Sequence, residues 1–201
     1  MPAGLCLSLE LAGGDARLIE NVFSDPDRLF HALMDDLPWA QENITVYGRR
    51  HKMPRLTAWM GDVPYRYSGL THPPQPWSGV LQEIRADVER LCGARFNGVL
   101  GNLYRDGQDS MGWHADDEAS LGPKPVIASV NLGEIRQLRF KPKPHWREAG
   151  QGRTFGITLP HGSVLVMQGE TQKNWLHAVP KSARPLGPRI NLTFRWIVAQ
   201  A

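Results

Sequence analysis

Apolar residues recur at helical spacing in two early stretches and at alternate or clustered positions through most of the second half. After Ser24-Asp25-Pro26, residues Leu29, Phe30, Leu33, Met34 and Leu37 form one stripe. Ser24 or Asp25 can cap such a helix, Pro26 suits its first turn, and Pro38 ends it. A second helix is predicted from about Trp77 to Cys92, with Trp77, Val80, Leu81, Ile84, Val88 and Leu91 on one face and Gly93 as the stop. Beyond it, short runs of strand-formers are separated by Gly, Pro and Asp: 96–104, 126–132, 137–140, 154–159, 163–167 and 190–198. Many short strands predict a sandwich or barrel, the jelly roll among them, with the early helices packed on one sheet. The expected fold class is α+β, mainly β. The chain reads as one domain, with 73–76 and 141–145 as surface loops.

Composition narrows the class without naming a chemistry. At 201 residues the chain can bury one sizeable core, and 41% hydrophobic with 21% charged residues is ordinary for a globular protein. No apolar run approaches the length of a bilayer span, and residues 1–11 lack a basic flank and a cleavage site. Cys6 and Cys92 are too few for a disulfide framework, so a cytoplasmic protein is expected, and it is taken as a monomer without membrane contact. Charge is unevenly spread. Residues 1–46 hold eight acidic and two basic side chains, a net of −6, leaving +9 for the remainder of a chain of net +3. The basic residues concentrate at Arg49, Arg50, Lys52, Arg55 and Arg66, and again at Arg136, Arg139, Lys141, Lys143 and Arg147. Such a distribution suits a polyanion, and it equally suits solvated loop charges.

The densest segment runs from Asn102 to Glu118. His114 and Asp116 are two apart, so an extended backbone points both to one face. One further histidine would complete a two-histidine, one-carboxylate face that leaves positions on Fe(II) open for oxygen and a substrate. His177, sixty-one residues after Asp116, lies between an expected core strand and the last strand. The other histidines are poorer candidates. His31 falls in the first helix, His51 in the basic run, and His72, His145 and His161 beside prolines in expected loops. The pair alone also fits a turn with satisfied polar side chains.

The last strand carries a separate signal. In Arg189-Ile190-Asn191-Leu192-Thr193-Phe194-Arg195 the polar residues share one face and the apolar ones the other. Two arginines inside a barrel are costly unless an anionic ligand meets them, and a dicarboxylate beside the iron would do so. An edge strand with a solvated face is the alternative.

Together, the motifs NxYxDGxDxxGxHxDDE and RxNxTxR, with the histidine between them, resemble the AlkB-type alkylation-repair dioxygenases. The likeness extends upstream through Val46-Tyr47-Gly48, Pro54-Arg55 and Tyr65-Arg66-Tyr67-Ser68-Gly69, covers about 44–198, and lies nearest the duplex-DNA repair branch. It implies a double-stranded β-helix (jelly roll) with flanking N-terminal helices, a nucleotide-recognition region over about 44–95 and a jelly-roll core over about 96–198. It further implies Fe(II), 2-oxoglutarate and oxygen as cofactor and cosubstrates, with His114, Asp116 and His177 as iron ligands. Arg189 would take the distal carboxylate of 2-oxoglutarate with Tyr104 and Thr193. Arg195 and Asn102 would lie near its keto end, and Asn191 on the same polar face. Asp117 would contact the target base beside Glu118, and Tyr67 would stack on it. Tyr65, Arg66 and Arg55 fall in the substrate patch. Tyr47-Gly48-Arg49 stands where that branch has a duplex-probing hairpin, with Tyr47 in place of an apolar wedge.

The implied reaction is oxidative dealkylation of bases such as 1-methyladenine and 3-methylcytosine in DNA, with RNA a second candidate. 2-Oxoglutarate and oxygen become succinate and carbon dioxide, and the alkyl carbon leaves as an aldehyde. An oxygenase acting on a protein side chain or small molecule is the nearest alternative. The interleaved basic and aromatic residues at 47–67 favour nucleic acid. A jelly-roll binding module without turnover would need neither an iron face nor two buried arginines.

Overall fold

Both expected helices form where their end signals place them. In the computed structural model, which describes residues 5–46, 49–67 and 70–198, the Asp25 carboxylate accepts the Arg28 N–H at 3.0 Å and starts α1 (Pro26–Asp36). The second helix, α2 (Gly79–Cys92), begins two residues later than its apolar stripe. The Ser78 hydroxyl takes the Leu81 N–H there, and Gly93, at φ 63, closes the far end onto the Glu89 carbonyl. No helix among the described residues is long and apolar enough to cross a membrane.

The strands before α2 are β1 (Cys6–Leu9), β2 (Asp15–Ile19), β3 (Asn43–Val46), β4 (Arg49–Lys52), β5 (Leu56–Gly61), β6 (Tyr65–Tyr67) and β7 (Leu70–His72). After it come β8 (Gly98–Tyr104), β9 (Met111–His114), β10 (Ile127–Gly133), β11 (Arg136–Pro142), β12 (Phe155–Leu159), β13 (Ser163–Gln168), β14 (Trp175–Val179) and β15 (Arg189–Arg195). Short helices α3 (Pro144–Glu148) and α4 (Thr171–Asn174) precede β12 and β14.

These strands form a seven-stranded antiparallel sheet, ordered β1-β2-β13-β10-β15-β8-β5, and a four-stranded sheet, ordered β12-β11-β14-β9. Two hairpins, β3–β4 and β6–β7, stand apart. The expected mainly β, jelly-roll fold class is borne out. The large sheet also crosses the expected junction near residue 95, because β5 pairs with β8 along its whole length. The loop expected at 141–145 is instead the end of β11 followed by the start of α3. The last strand stops at Arg195 rather than 198. Asn97 captures the main chain of Ile197 there, accepting its N–H at 2.7 Å and donating to its carbonyl at 2.8 Å.

Strand parity divides the interior into two cores. Ile190, Leu192 and Phe194 of β15, with Val99 and Leu103 of β8 and Val130 of β10, meet Leu29, Leu33, Leu81, Ile84 and Val88 of the helices. The opposite face of the same strands looks at the small sheet, where Leu100, Tyr104, Leu165 and Met167 pack with Leu138, Phe140 and Val179. Among the described residues, the buried polar side chains of these strands lie on the sheet-to-sheet side.

Candidate active site

His114 ends β9, and its direct cross-strand partner is His177 of β14. The two rings lie 4.2 Å apart between centroids, and Asp116 brings Oδ2 within 3.7 Å of His177 Nε2. One ligand atom from each of the three residues lies within 4.8 Å of the others. Among the described residues this is the one cluster of at least three such side chains that could hold a metal.

Protonation suits metal binding. The Gly112 carbonyl accepts from His114 Nδ1 at 2.9 Å, which leaves Nε2 as the lone-pair nitrogen. Burial, reinforced by His114, pushes the His177 imidazole down to about 3 against the pull of Asp116, so the ring is neutral. Burial opposes ionisation of Asp116, yet the Arg195 guanidinium, by charge and by hydrogen bond, outweighs it and holds the carboxyl at about 2. Two neutral imidazoles and an ionised carboxylate need lose no proton to take a divalent cation. Gln172 of α4 fixes the carboxylate's backbone, its Oε1 accepting the Asp116 N–H at 2.9 Å. Arg195 donates from Nε (3.2 Å) and Nη2 to Asp116 Oδ1, so Oδ2 is the oxygen left facing the histidines.

The polar face of β15 lies beside these ligands. β15 is flanked by β10 and β8, and all seven of its residues are buried, so it is not a solvated edge. Arg189, 1% exposed, donates from Nη2 to Asn131 Oδ1 at 2.6 Å and lies over the Tyr104 ring at 5.1 Å. Its Nε and Nη1 are buried without a hydrogen-bond partner, as is Nη1 of Arg195. Burial lowers the Arg189 guanidinium to about 10, a direction that an incoming carboxylate would reverse. Asn191 donates to Ser129 Oγ at 2.8 Å, and Thr193 donates to Asn191 Oδ1 at 3.2 Å. Asn102 accepts from Arg55 Nε at 2.6 Å. Asn102, Tyr104, Ser129, Arg189, Asn191, Thr193 and Arg195 line one cavity with His114, Asp116 and His177. Unsatisfied guanidinium nitrogens beside an open metal face fit a dicarboxylate, and the donor set fits Fe(II).

Elsewhere the structure redistributes the expected residues. Asp117 is exposed and takes Lys143 Nζ at 2.6 Å. Glu118 accepts from the Tyr65 hydroxyl at 3.1 Å. Tyr65 itself, expected in the substrate patch, is 1% exposed and stacked on Trp59 at 4.5 Å, so it stands behind Glu118. Arg55 and Arg136, counted with the basic clusters, are buried against polar groups of the interior rather than displayed to solvent. Arg50, Lys52, Arg139 and Arg147 are exposed as expected. Tyr47 and Gly48 lie outside the described residues, as do the side chains of Arg49, Arg66 and Tyr67. His31 and His145 are exposed. His72 is half-buried near Glu42, and His161 is half-buried with Nδ1 accepting the Gly133 N–H at 2.8 Å, so neither is the free loop residue expected. Ser129, Asn131 and Gln172 were not foreseen. The first two were readable as polar positions two apart inside an expected strand, whereas Gln172 had no local signal.

A candidate metal triad and an unsatisfied arginine lie together between the sheets of a jelly roll, and the wider comparison places that arrangement in a family. A model of the 2OG-Fe(II) oxygenase superfamily matches residues 15–195, and the chain belongs to that superfamily. Fe(II), 2-oxoglutarate and oxygen come with that membership, as the motifs implied. Within it, the AlkB-type likeness is borne out by named relatives. The chain is 42% identical over 177 residues to alpha-ketoglutarate-dependent dioxygenase alkB homolog 3 of Bos taurus, covering 86% of this chain and 62% of the relative. It is 39% identical over 182 residues to DNA oxidative demethylase ALKBH2 of Homo sapiens, covering 87% and 70% respectively. The chain thus spans about three fifths of the length of the alkB homolog 3 relatives. The solved structure of OsALKBH1 shares the fold, with a TM-score of 0.64 at 16% identity over 94% of this chain and all of that one.

Proposed function

We propose that this protein removes alkyl groups from base nitrogens in nucleic acid, reversing alkylation damage directly. The observation that carries the reading is the 39% identity over 182 residues to a protein named DNA oxidative demethylase. In this proposal His114, Asp116 and His177 hold Fe(II). Arg189 grips the distal carboxylate of 2-oxoglutarate through the two nitrogens that lack partners, while Tyr104 and Thr193 shape the same end. Arg195 steadies Asp116 and keeps Nη1 for the keto end, near Asn102. When bound, Fe(II) with 2-oxoglutarate and oxygen supplies the oxidising power that hydroxylates the N-alkyl carbon, and that carbon then leaves as formaldehyde from a methyl lesion.

Substrate selection is proposed to fall to Asp117 and Glu118, whose carboxylates would favour a cationic 1-methyladenine or 3-methylcytosine over its neutral parent. Such bases pair poorly, which lowers the cost of extruding them. Tyr67 is proposed to stack on the extruded base, and Tyr47, Gly48, Arg49 and Arg66 to meet the strand. The finer proposal is a cytoplasmic monomer of one domain acting on alkylated DNA, with RNA as a second substrate.

The direct test is formaldehyde release from matched methylated DNA, methylated RNA and unmodified strands, supplied with Fe(II) and 2-oxoglutarate. Release from a methylated strand alone is expected. Consumption of 2-oxoglutarate on a protein or small molecule, with none on any strand, would overturn the substrate class and leave the oxygenase standing.

A further inference from the structure

The two strands that carry the metal histidines are poorly tied to each other. β9 and β14 pair at His114–His177 and at Val179–Met111, with an irregularity between the two pairs. On the other side of β14, pairing with β11 ends at Arg139–Ala178. A bulge of this kind interrupts the ladder, so main-chain bonds alone specify the register weakly. Just past this frayed end, Arg136 opens β11 with its side chain on the inward face. It is 3% exposed. Nη1 donates to the Asp106 carbonyl at 3.1 Å, and Nη2 to the carbonyls of Asp109 at 2.9 Å and Pro180 at 2.7 Å. Asp109 lies two residues before β9 begins, and Pro180 is the residue after β14 ends. One planar group therefore joins the entry of the strand bearing His114 to the exit of the strand bearing His177. The same guanidinium lies over the Tyr104 ring at 5.5 Å, and that ring also meets Arg189. The nearby carboxylate of Asp109 is engaged elsewhere, by Arg105 at 2.7 and 2.8 Å.

We propose that Arg136 is a positioning residue that sets the register of the two metal-bearing strands, and with it the spacing of His114 and His177. The role suits a guanidinium. Its fork reaches carbonyls on two loops at fixed angles, whereas an ammonium is a single point on a flexible stem. It touches neither the metal ligands nor the cosubstrate cradle by hydrogen bond, so its effect passes through the strands and the Tyr104 ring.

The experiment compares the parent chain, Arg136→Lys, Arg136→Met and, as a control in the helix-side core, Val88→Ala. Each metal-free protein is titrated with Co(II) alone, followed by its visible absorption, and its thermal midpoint is measured. Removing a group that orients metal ligands from outside weakens binding about 10- to 100-fold. Arg136→Met is expected near the lower end of that range, with an altered Co(II) spectrum. Arg136→Lys, which keeps the charge and folds more safely, is expected to weaken Co(II) at least about threefold for the same reason. Val88→Ala should lose stability while keeping its Co(II) affinity within about twofold, because it creates its cavity on the other side of the sheet. A folded Arg136→Lys that binds Co(II) within about twofold of the parent, with the parent's spectrum, overturns the proposal, as does equal weakening in Val88→Ala. A parent chain that bound no Co(II) would sink the metal site itself, and the role of Arg136 with it.

Discussion

Arg189 shows how a single side chain can state a requirement. A buried guanidinium with two nitrogens lacking acceptors is costly, and charge-assisted bonds to a carboxylate contribute roughly 1.5–3 kcal/mol each when they form. Arg189→Lys is therefore expected to raise the apparent KM for 2-oxoglutarate at least about tenfold, with partial recovery at high cosubstrate. Steady-state kinetics with varied 2-oxoglutarate checks it, and an unchanged KM would remove Arg189 from the site. The metal ligands make a sharper contrast. His177→Ala should abolish turnover and Co(II) binding in a folded protein, whereas His145→Ala, at an exposed ring in α3, should bind Co(II) as the parent does. Metal retained by the first and lost by the second would refute the triad. Which residue types carry the chemistry was legible in the chain: His114 and Asp116 from their spacing, Arg189 and Arg195 from their alternation. That His177 stands opposite His114 was not, since the four strands β10 to β13 lie between them in the chain.

Among the elements, β15 is the most informative, because its two faces serve two cores. Ile190, Leu192 and Phe194 hold the helices while Arg189, Asn191, Thr193 and Arg195 line the cavity. The sheet thereby insulates the site from changes in the helical layer. Ile84→Val in α2 should cost about 0.5–1.5 kcal/mol of stability and leave 2-oxoglutarate affinity unchanged. Denaturant unfolding and a binding isotherm on the same sample decide this. The β3–β4 hairpin gives a different forecast, because Arg50 and Lys52 are exposed on it. Replacing both by Ala should weaken binding to a methylated strand and reduce the slope of log affinity against log salt by roughly 1–2, about 0.7–0.9 for each phosphate no longer neutralised. A slope equal to the parent's would mean that the hairpin does not touch the backbone. Helices α1 and α2 were readable from stripe and caps. β1 to β7, three to six residues long, were not, since short strands without a clear alternation acquire their state from the partner they pair with.

For the whole molecule, the site and the fold share free energy. The cavity lies between two sheets, and its ligands bridge them, so occupancy should stabilise the native state by mass action. Co(II) with 2-oxoglutarate, each at about 100 times its Kd, is expected to add about 2.7 kcal/mol per ligand, or roughly 5–10 °C each for a domain of this size. Arg189→Lys, at about tenfold weaker affinity, should lose about half of the 2-oxoglutarate increment and keep the metal increment. A thermal melt series with neither, one or both ligands separates them. Equal increments in parent and variant would place 2-oxoglutarate somewhere other than the Arg189 end of the cavity.

Local physics alone determined the two helices and their caps, the short-strand texture of the second half, the alternation in Arg189–Arg195 and the paired spacing of His114 and Asp116. Each of these is a relation between residues a few positions apart, where periodicity and capping act. The tertiary structure decided the rest: that β15 is central rather than an edge, that Asn131 and Ser129 complete its polar face, that Gln172 holds Asp116, and that Tyr65, Arg55 and Arg136 are interior supports. Those outcomes depend on which strand lies beside which and on the side of the sheet each residue meets. Strand pairing is set by packing across the whole chain, so no window of neighbouring residues contains it.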